Sequence, residues 1–143
     1  MHEVVIGDGD AALSALLAER IHAFNEETTG ILDGRLLDAR VLDDQGELLG
    51  AAVGWTFGGC GYVDVLWVRA DGRGQGIGKA LMDAVEAEAQ ARGCTQVVLS
   101  THTFQAPGFY AARGYVEVGR TPDYPRGHDQ VHLLKRFSSS PTS

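Results

Sequence analysis

Four glycines alternate with other residues at positions 72, 74, 76 and 78, between an apolar segment that ends at Val68 and an amphipathic segment that begins at Ile77. Because glycine has no side chain, the backbone N–H groups of such a loop can converge on a ligand. The N-terminus of a following helix adds a partial positive charge. Arg73 and Lys79 add two cations. The segment therefore predicts a phosphate-binding loop between a strand and a helix.

Two common nucleotide-binding motifs do not fit this loop. A Walker A loop needs a glycine five residues before the glycine of Gly-Lys and a Ser or Thr after the lysine, but the chain has Arg73 and Ala80 there. The dinucleotide fingerprint GxGxxG needs a third glycine where the chain has Ile77 or Lys79. The loop is thus unlike that of a nucleotide hydrolase or of a dinucleotide-binding domain.

The remaining segments alternate between strand-like and helix-like patterns. A short first strand is predicted over 3–6, followed by a helix that Asp10 caps and that ends at about Asn25, and by a loop-like stretch over 26–34 with room for a turn of helix. The amphipathic helix after the glycine-rich loop is predicted to end at Gly93. A second, short helix is predicted over 107–113. Further strands are predicted over 35–42, 48–57, 62–68, 96–100, 115–120 and 130–137, the first three as an antiparallel meander.

Length and composition limit what the protein can be. A chain of 143 residues with 44% hydrophobic residues predicts one folded domain over 1–137, and the small polar residues of 138–143 predict a disordered tail. No apolar run approaches the roughly 20 residues that span a bilayer, and no signal peptide is recognisable, so a soluble, cytoplasmic protein is expected. A net charge of −7 argues against nucleic-acid binding and favours cationic amines. Cys60 and Cys94 lack the spacing of a metal site.

Two motifs together carry a family resemblance. Arg-Gly-Gln-Gly-Ile-Gly-Lys-Ala, over 73–80, resembles the Arg/Gln-x-x-Gly-x-Gly/Ala pyrophosphate loop of the GNAT superfamily of acyl-CoA N-acetyltransferases. Phe-Tyr-Ala-Ala-Arg-Gly-Tyr, over 109–115, resembles that family's Phe-Tyr-x-x-x-Gly-Phe/Tyr segment. The predicted order of elements is also similar along nearly the whole chain. The resemblance implies an α/β fold, with a mixed and mostly antiparallel sheet flanked by helices, and acetyl-CoA as cosubstrate without a metal.

The resemblance also implies where acetyl-CoA binds. The wedge between the strand ending at Val68 and the strand beginning near Gln96 would hold it, and Val68 and its neighbours would pair with the pantetheine amides. Many members have Asn at the position of Thr103, so a cofactor contact there is expected to be weaker or to use the hydroxyl. The pyrophosphate cradle would consist of the N–H groups of Gly74, Gly76 and Gly78 together with Arg73, Gln75, Ile77 and Lys79.

Acetyl transfer to an amine needs a group that protonates the departing thiolate and a group that takes the amine's proton. Tyr110 is the candidate acid, since relatives often use a Tyr at this point; the alternative is that its ring only packs against Phe109. Asp64 is the candidate base, because some relatives place a carboxylate on this strand; it can equally be a solvated edge charge or a substrate anchor. His102 and His128 are reserve candidates, because histidine titrates near neutral pH.

The predicted activity is transfer of acetyl from acetyl-CoA to a primary amine, expected on a small molecule, by direct attack in a ternary complex. The long polar loop over 123–129 is a candidate wall of the acceptor pocket. Trp55 and Trp67 are expected in the core or in the pocket wall. Two alternatives stay open, namely an acetyltransferase that modifies a protein lysine or N-terminus and an acyl-CoA-binding sensor without turnover. The resemblance is also compatible with a homodimer.

Overall fold

A computed structural model of the protein describes residues 2–138. The chain divides into two compact units, Met1–Gly34 and Arg35–Ser143. Apart from Ser138, the predicted disordered tail lies outside the described residues. The prediction of one domain over 1–137 stays a prediction.

The first unit contains one helix, α1, which covers Ala11–Thr29. As predicted, Asp10 caps it, since its side chain accepts a hydrogen bond from the Leu13 N–H at 3.0 Å. The helix runs four residues past the predicted end because its stop signal is Gly30, whose φ of 74° allows the left-handed C-cap. The N–H of Gly30 donates to the Glu26 carbonyl at 2.9 Å. The helical turn for which the loop-like stretch over 26–34 left room therefore covers 26–29 and continues α1.

The predicted first strand over 3–6 was wrong. Residues 2–9 form neither helix nor strand, and the side chains of Val4, Val5 and Ile6 are exposed. An apolar run becomes a strand only when a neighbouring strand satisfies its backbone groups. Within the described residues, all six strands of the sheet come after Gly34.

The second unit is built on a six-stranded sheet with the spatial order β1-β2-β3-β4-β6-β5. All neighbouring strands are antiparallel except β3 and β4, which are parallel. Helices α2 and α3 cover Ile77–Ala91 and Pro107–Ala112. This confirms the predicted mixed α/β fold, including the meander of the first three strands. The strands are β1 Arg35–Leu42, β2 Leu48–Phe57, β3 Cys60–Val68, β4 Gln96–His102, β5 Val116–Thr121 and β6 Gln130–Arg136.

Helix α2 supplies much of the core of this unit. Its buried apolar residues are Leu81, Met82, Val85 and Ala89, which recur at helical spacing on one face. The same core cluster includes Val97 and Leu99, which alternate with less buried residues along β4. This packing holds the N-terminus of α2, and with it the glycine-rich loop, over the end of the sheet where β3 and β4 finish.

Strand β3 carries a β-bulge at Asp64. Val53 of β2 pairs with Val65, and the next residue, Gly54, pairs with Val63, so Asp64 is an extra residue without a partner in β2. Gly54 is required opposite the bulge because a Cβ there would collide with the carbonyl oxygen of Tyr62. The bulge therefore comes with a glycine that lets the two backbones approach.

The parallel pairing of β3 with β4 ends where the bulge begins. It covers only Cys60 to Val63 of β3, opposite Gln96 to Leu99 of β4. Beyond this point the two strands separate, and the edge of β3 over 64–68 has no partner in β4. The splayed central strands that the resemblance implied are therefore present.

None of the helices within residues 2–138 is long and apolar enough to cross a bilayer. In the same residues, no group of three or more His, Cys, Asp and Glu side chains is placed to hold a metal ion.

Candidate active site

A cavity of about 760 Å³ opens where β3 and β4 separate. Its volume lies in the range of sites for small molecules and cofactors. The end of β3, the glycine-rich loop, the first turn of α2, the end of β4 and helix α3 all contribute to its walls. Ten of the predicted site residues line it: Asp64, Val68, Arg73, Gly74, Gly76, Ile77, Gly78, Lys79, His102 and Tyr110.

The glycine-rich loop has the backbone of an anion site. Gly74 and Gly76 both have φ near +79°, a conformation that other residues adopt only with strain. A single 3₁₀ turn, Ala70–Gly72, precedes them, and Gly76 is the N-cap of α2. Left-handed residues in such a turn make concave clusters of N–H groups. The first N–H groups of α2 also lack partners within the helix. The backbone of the loop is therefore compatible with the predicted anion site, which stays a prediction.

Side chains within the loop fix its shape. Arg69 binds Asp71 through two bonds of 2.6 and 3.0 Å and reaches Asp43, in the turn after β1, at 2.9 Å. These contacts raise the pKa of the Arg69 guanidinium, and its hydrogen bonds lower the pKa of both carboxyls. Gln75 donates to the Asp71 carbonyl at 2.8 Å and does not line the cavity. The side chain of Gln75, one of the predicted cradle residues, thus stabilises the loop and does not face the cavity.

The two predicted cations have different surroundings. Arg73 is exposed, and its Nε donates to the Val68 carbonyl at 3.2 Å, which ties the loop to the end of β3. Lys79 lines the cavity, but its Nζ lies 3.0 Å from Asp83 one turn along α2. Lys79, followed by Arg113, lowers the pKa of the Asp83 carboxyl. The ion pair with Asp83 partly compensates the charge of Lys79, so Arg73 is the less compensated cation of the loop.

Tyr110 is held under the cavity by helix α3 and by other aromatic rings. It is 8% exposed, and its ring meets those of Phe109 and Tyr115 edge-on, at centroid distances of 5.1 and 5.6 Å. Burial raises the pKa of the phenol, and the nearby Arg113 guanidinium opposes this only in part. The hydroxyl therefore stays protonated at neutral pH, which is the state that a proton donor needs.

Asp64 reaches the cavity from the bulge. Its side chain is exposed, and Tyr62, two residues earlier, lines the same cavity. Simple alternation along the strand predicted that these two residues share a face. The structure brings both to the cavity, with Asp64 as the bulge residue. Tyr62 is supported from behind by Trp55, since the two rings stack at 4.5 Å. A carboxylate and a phenol ring thus border the part of the cavity away from the glycine-rich loop.

The reserve histidines separate in the structure. His102 lines the cavity, and its Nδ1 lies 3.0 Å from the Tyr124 carbonyl. His128 does not line the cavity, and its ring packs edge-on against Phe104 at 5.0 Å. The loop over 123–129 contributes no residue to the cavity wall and contacts it through His102.

Thr103 does not line the cavity either. Its hydroxyl accepts a hydrogen bond from the Asp129 N–H at 3.1 Å, while its own N–H donates to the Asp129 carbonyl at 2.9 Å. It therefore joins the loop after β4 to the loop before β6. Ala106, three residues further along, does line the cavity.

Trp55 and Trp67 are not core residues. They are 41% and 44% exposed, and neither lines the cavity. Their strands alternate, and Ala52 and Val63 occupy the buried positions on the face toward α2. The prediction of a core or pocket-wall role was therefore wrong for both, although Trp55 supports a cavity residue.

Four polar residues of the cavity wall were missed from the sequence, namely Ser100, Thr101, Gln105 and Gln130. Ser100 Oγ lies 2.9 Å from Nδ1 of His132, and Nε2 of His132 lies 3.1 Å from Thr121 Oγ1. The pair depends on the register of β4 against β6, which places Ser100 opposite His132. No local pattern in the sequence encodes that register.

Comparison with known proteins agrees with this geometry. The family model described as "Acetyltransferase (GNAT) family" matches residues 13–115. A blasticidin-S acetyltransferase of Streptomyces morookaense is 44% identical over 95 residues, which cover 66% of this chain and 70% of that protein. An acetyltransferase of Agrobacterium fabrum is 31% identical over 137 residues, 96% of this chain and 100% of that protein. The crystal structure of an acetyltransferase from Agrobacterium tumefaciens superposes with a TM-score of 0.86 at 31% identity, over 96% of this chain and 100% of that one.

The family model matches most of the chain, and one relative is similar along its whole length, in agreement with the glycine-rich loop and the splayed strands. The chain belongs to the GNAT acetyltransferase family and is an acetyl-CoA-dependent N-acetyltransferase.

Proposed function

We propose that the protein transfers acetyl from acetyl-CoA to a primary amine of a small molecule, by direct attack of the amine while both substrates are bound. One observation carries this proposal: the separation of β3 and β4 opens a single cavity that an anion-binding loop, a carboxylate and a buried phenol all line. Each of the three has a part in acetyl transfer.

The cavity fits the cosubstrate at two points. The N–H groups around Gly74 and Gly76, with Arg73 at the rim, suit a pyrophosphate. The free edge of β3 over 64–68 offers backbone groups to the amides of a pantetheine arm, as a neighbouring strand would. The protein's own residues thus hold an acyl-CoA at its charged end and along its middle, with the thioester directed toward Tyr110.

The chemistry requires two proton movements. The amine must be neutral to form the new C–N bond, and the thiolate that leaves when the C–S bond breaks must gain a proton. Asp64 accepts the amine's proton, directly or through water, because it lines the cavity and its side chain is exposed. Tyr110 donates to the thiolate, because its raised pKa keeps the phenol protonated.

A small-molecule acceptor is supported by one relative and by charge. The relative with 44% identity is named for the acetylation of blasticidin S. The net charge of −7 and the exposed carboxylate at Asp64 favour a cationic amine over an anionic one.

The proposal is tested with Tyr110→Phe, which retains the ring and its edge-on contacts but removes the donor. We expect kcat to fall by about 10²–10⁴-fold, the loss typical of a positioned acid or base, with acetyl-CoA affinity and melting temperature near wild type. Tyr124→Phe is the matched control, because Tyr124 lies outside the cavity wall and hydrogen-bonds His102 through its backbone carbonyl only. Thiol release from acetyl-CoA is measured with a panel of polyamines, amino sugars, nucleoside amines and peptides.

Three outcomes contradict parts of the proposal. A Tyr110→Phe enzyme with normal kcat, under conditions where chemistry limits the rate, means that solvent protonates the thiolate. Turnover of peptides alone identifies a protein acetyltransferase. Tight acetyl-CoA binding without turnover of any amine identifies a sensor.

A further inference from the structure

A carboxylate is buried on the otherwise apolar face of helix α2. Glu86 is 7% exposed and lies between Met82, Val85 and Ala89, all of which belong to the core. A charged group in such a place destabilises the fold unless hydrogen bonds and opposite charges compensate it. Leu or Met at this position would fill the same volume without that cost. The position therefore calls for an explanation beyond packing.

Both oxygens of Glu86 are occupied by partners that are distant in sequence. One oxygen accepts from the Tyr115 hydroxyl at 2.9 Å and from Arg113 at 3.0 and 3.3 Å. The other accepts from Lys135 Nζ of β6 at 2.6 Å. Glu86 thus joins α2 to the segment after α3 and to strand β6.

Two of these partners are bonded directly to Tyr110. The N–H groups of Arg113 and Tyr115 both donate to the Tyr110 carbonyl at 3.0 Å. The Tyr115 ring also contacts the Tyr110 ring edge-on. Helix α3 has only six residues, so it is too short to be stable alone, and its position depends on such tertiary contacts.

We propose that Glu86 is a positioning residue for Tyr110: by holding Arg113 and the Tyr115 hydroxyl, it fixes where the Tyr110 side chain enters the cavity. The inference rests on the proposed role of Tyr110 as the proton donor. It also explains the last residue of the Phe-Tyr-x-x-x-Gly-Tyr segment, because a Phe in place of Tyr115 could pack but could not bind Glu86.

Glu86 also balances charge beside the phenol. The charged groups on elements packed near Tyr110 are Arg113 on its own segment, Asp83 and Glu86 on α2, and Lys135 on β6, while Asp64, Arg73, Lys79 and His102 share the cavity. Glu86→Gln leaves Arg113 paired with Asp83 and removes the ion pair of Lys135. The uncompensated positive charge favours the tyrosinate and lowers the pKa of Tyr110.

The test uses the full chain with Glu86→Gln, which keeps the side chain's size. We expect kcat to fall by about 10–100-fold, as for a misplaced catalytic group, while the acetyl-CoA dissociation constant stays within about twofold. The alkaline limb of the kcat profile should move to lower pH, which a merely structural role would not cause. Glu88→Gln is the matched control, because it breaks an ion pair with Arg92 on the same helix at a distance from Tyr110.

Tyr115→Phe is the second variant, since it removes one hydrogen bond to Glu86 and leaves the ion pairs in place. A folded Tyr115→Phe protein with lowered kcat supports the inference even where Glu86→Gln fails to fold.

In a Tyr110→Phe background, Glu86→Gln should cause little further loss of kcat. If kcat falls in Tyr110→Phe but stays normal in both Glu86→Gln and Tyr115→Phe, the positioning role of Glu86 is overturned, while the donor role of Tyr110 stands. An equal loss in Glu88→Gln also overturns it. Normal kcat in Tyr110→Phe instead overturns the proposed donor.

Discussion

Gly76→Ala tests whether the glycine-rich loop needs the left-handed backbone conformation of Gly76, independently of steric clashes of the added methyl group. A Cβ at Gly76 would meet nothing within 4 Å, so the only cost of Ala is its φ of +79°. The left-handed conformation costs a residue other than glycine about 1–2 kcal/mol, and Ala offsets about 0.4–1 kcal/mol by restricting the unfolded chain. A net loss of about 1 kcal/mol lowers the melting temperature of a chain this long by about 2–4 °C.

The same strain has a second way to appear. If the substituted loop relaxes in the free protein, the melting temperature changes little, but acetyl-CoA must restore the left-handed turn on binding. The dissociation constant then rises by about 5–30-fold, which corresponds to 1–2 kcal/mol. Gly93→Ala is the matched control, because Gly93 has φ of +86°, equally open surroundings and no place in the cavity wall. It should lower the melting temperature and leave acetyl-CoA affinity unchanged.

Differential scanning fluorimetry and isothermal titration calorimetry of both variants measure the two quantities. The reasoning is refuted if Gly76→Ala changes neither stability nor affinity, since the left-handed turn would then not be required. It is equally refuted if Gly93→Ala weakens acetyl-CoA binding as much as Gly76→Ala does, because the effect would not be local to the loop.

Two further predictions concern carboxylates. Asp64→Asn should lower kcat/KM for the amine by about 10²-fold while acetyl-CoA affinity is retained. Asp38→Asn is the control, because Asp38 is an exposed residue of β1, and it should leave kcat/KM unchanged. Equal kcat/KM in both variants would make Asp64 an anchor or a surface charge. Asp43 and Asp71 have a lowered pKa in the folded state, so their stabilisation is present above the ordinary Asp pKa and is lost as the pH falls through the lowered values. The urea midpoint of Arg69→Met should therefore lie below that of wild type at pH 7 and approach it below about pH 4; a constant difference would exclude this linkage.

Local patterns in the sequence predicted the elements whose signals are strong. The glycine-rich loop, the amphipathic α2 and the meander of β1 to β3 follow from residue spacing and turn residues, and the structure confirms them. The C-terminal end of α1 was harder to place, because Glu26 to Thr29 have no strong helix stop and the decisive residue is Gly30. The apolar run over 3–6 shows the limit of such patterns, since strand formation depends on a partner strand that a local window does not contain.

Most of the predicted site residues lie in the two motifs. Apart from Gln75, the predicted residues of the glycine-rich loop line the cavity together with Tyr110, whereas His128 does not. The bulge at Asp64, the contact of Ser100 with His132 and the partners of Glu86 depend on register or on packing between distant segments. A single sequence carries no direct signal for these, because they arise from how elements meet rather than from what each element contains.

The bulge in β3 makes the length of this strand a constraint in its own right. Deleting Asp64 would join Val63 directly to Val65, and since these two residues already pair with the neighbours Gly54 and Val53 of β2, the ladder would become regular and the later residues would keep their faces. Substitutions at position 64 change only what the side chain can do, whereas a one-residue deletion would also remove the local bend at the point where β3 separates from β4. In this part of the chain, spacing should therefore tolerate less variation than residue identity.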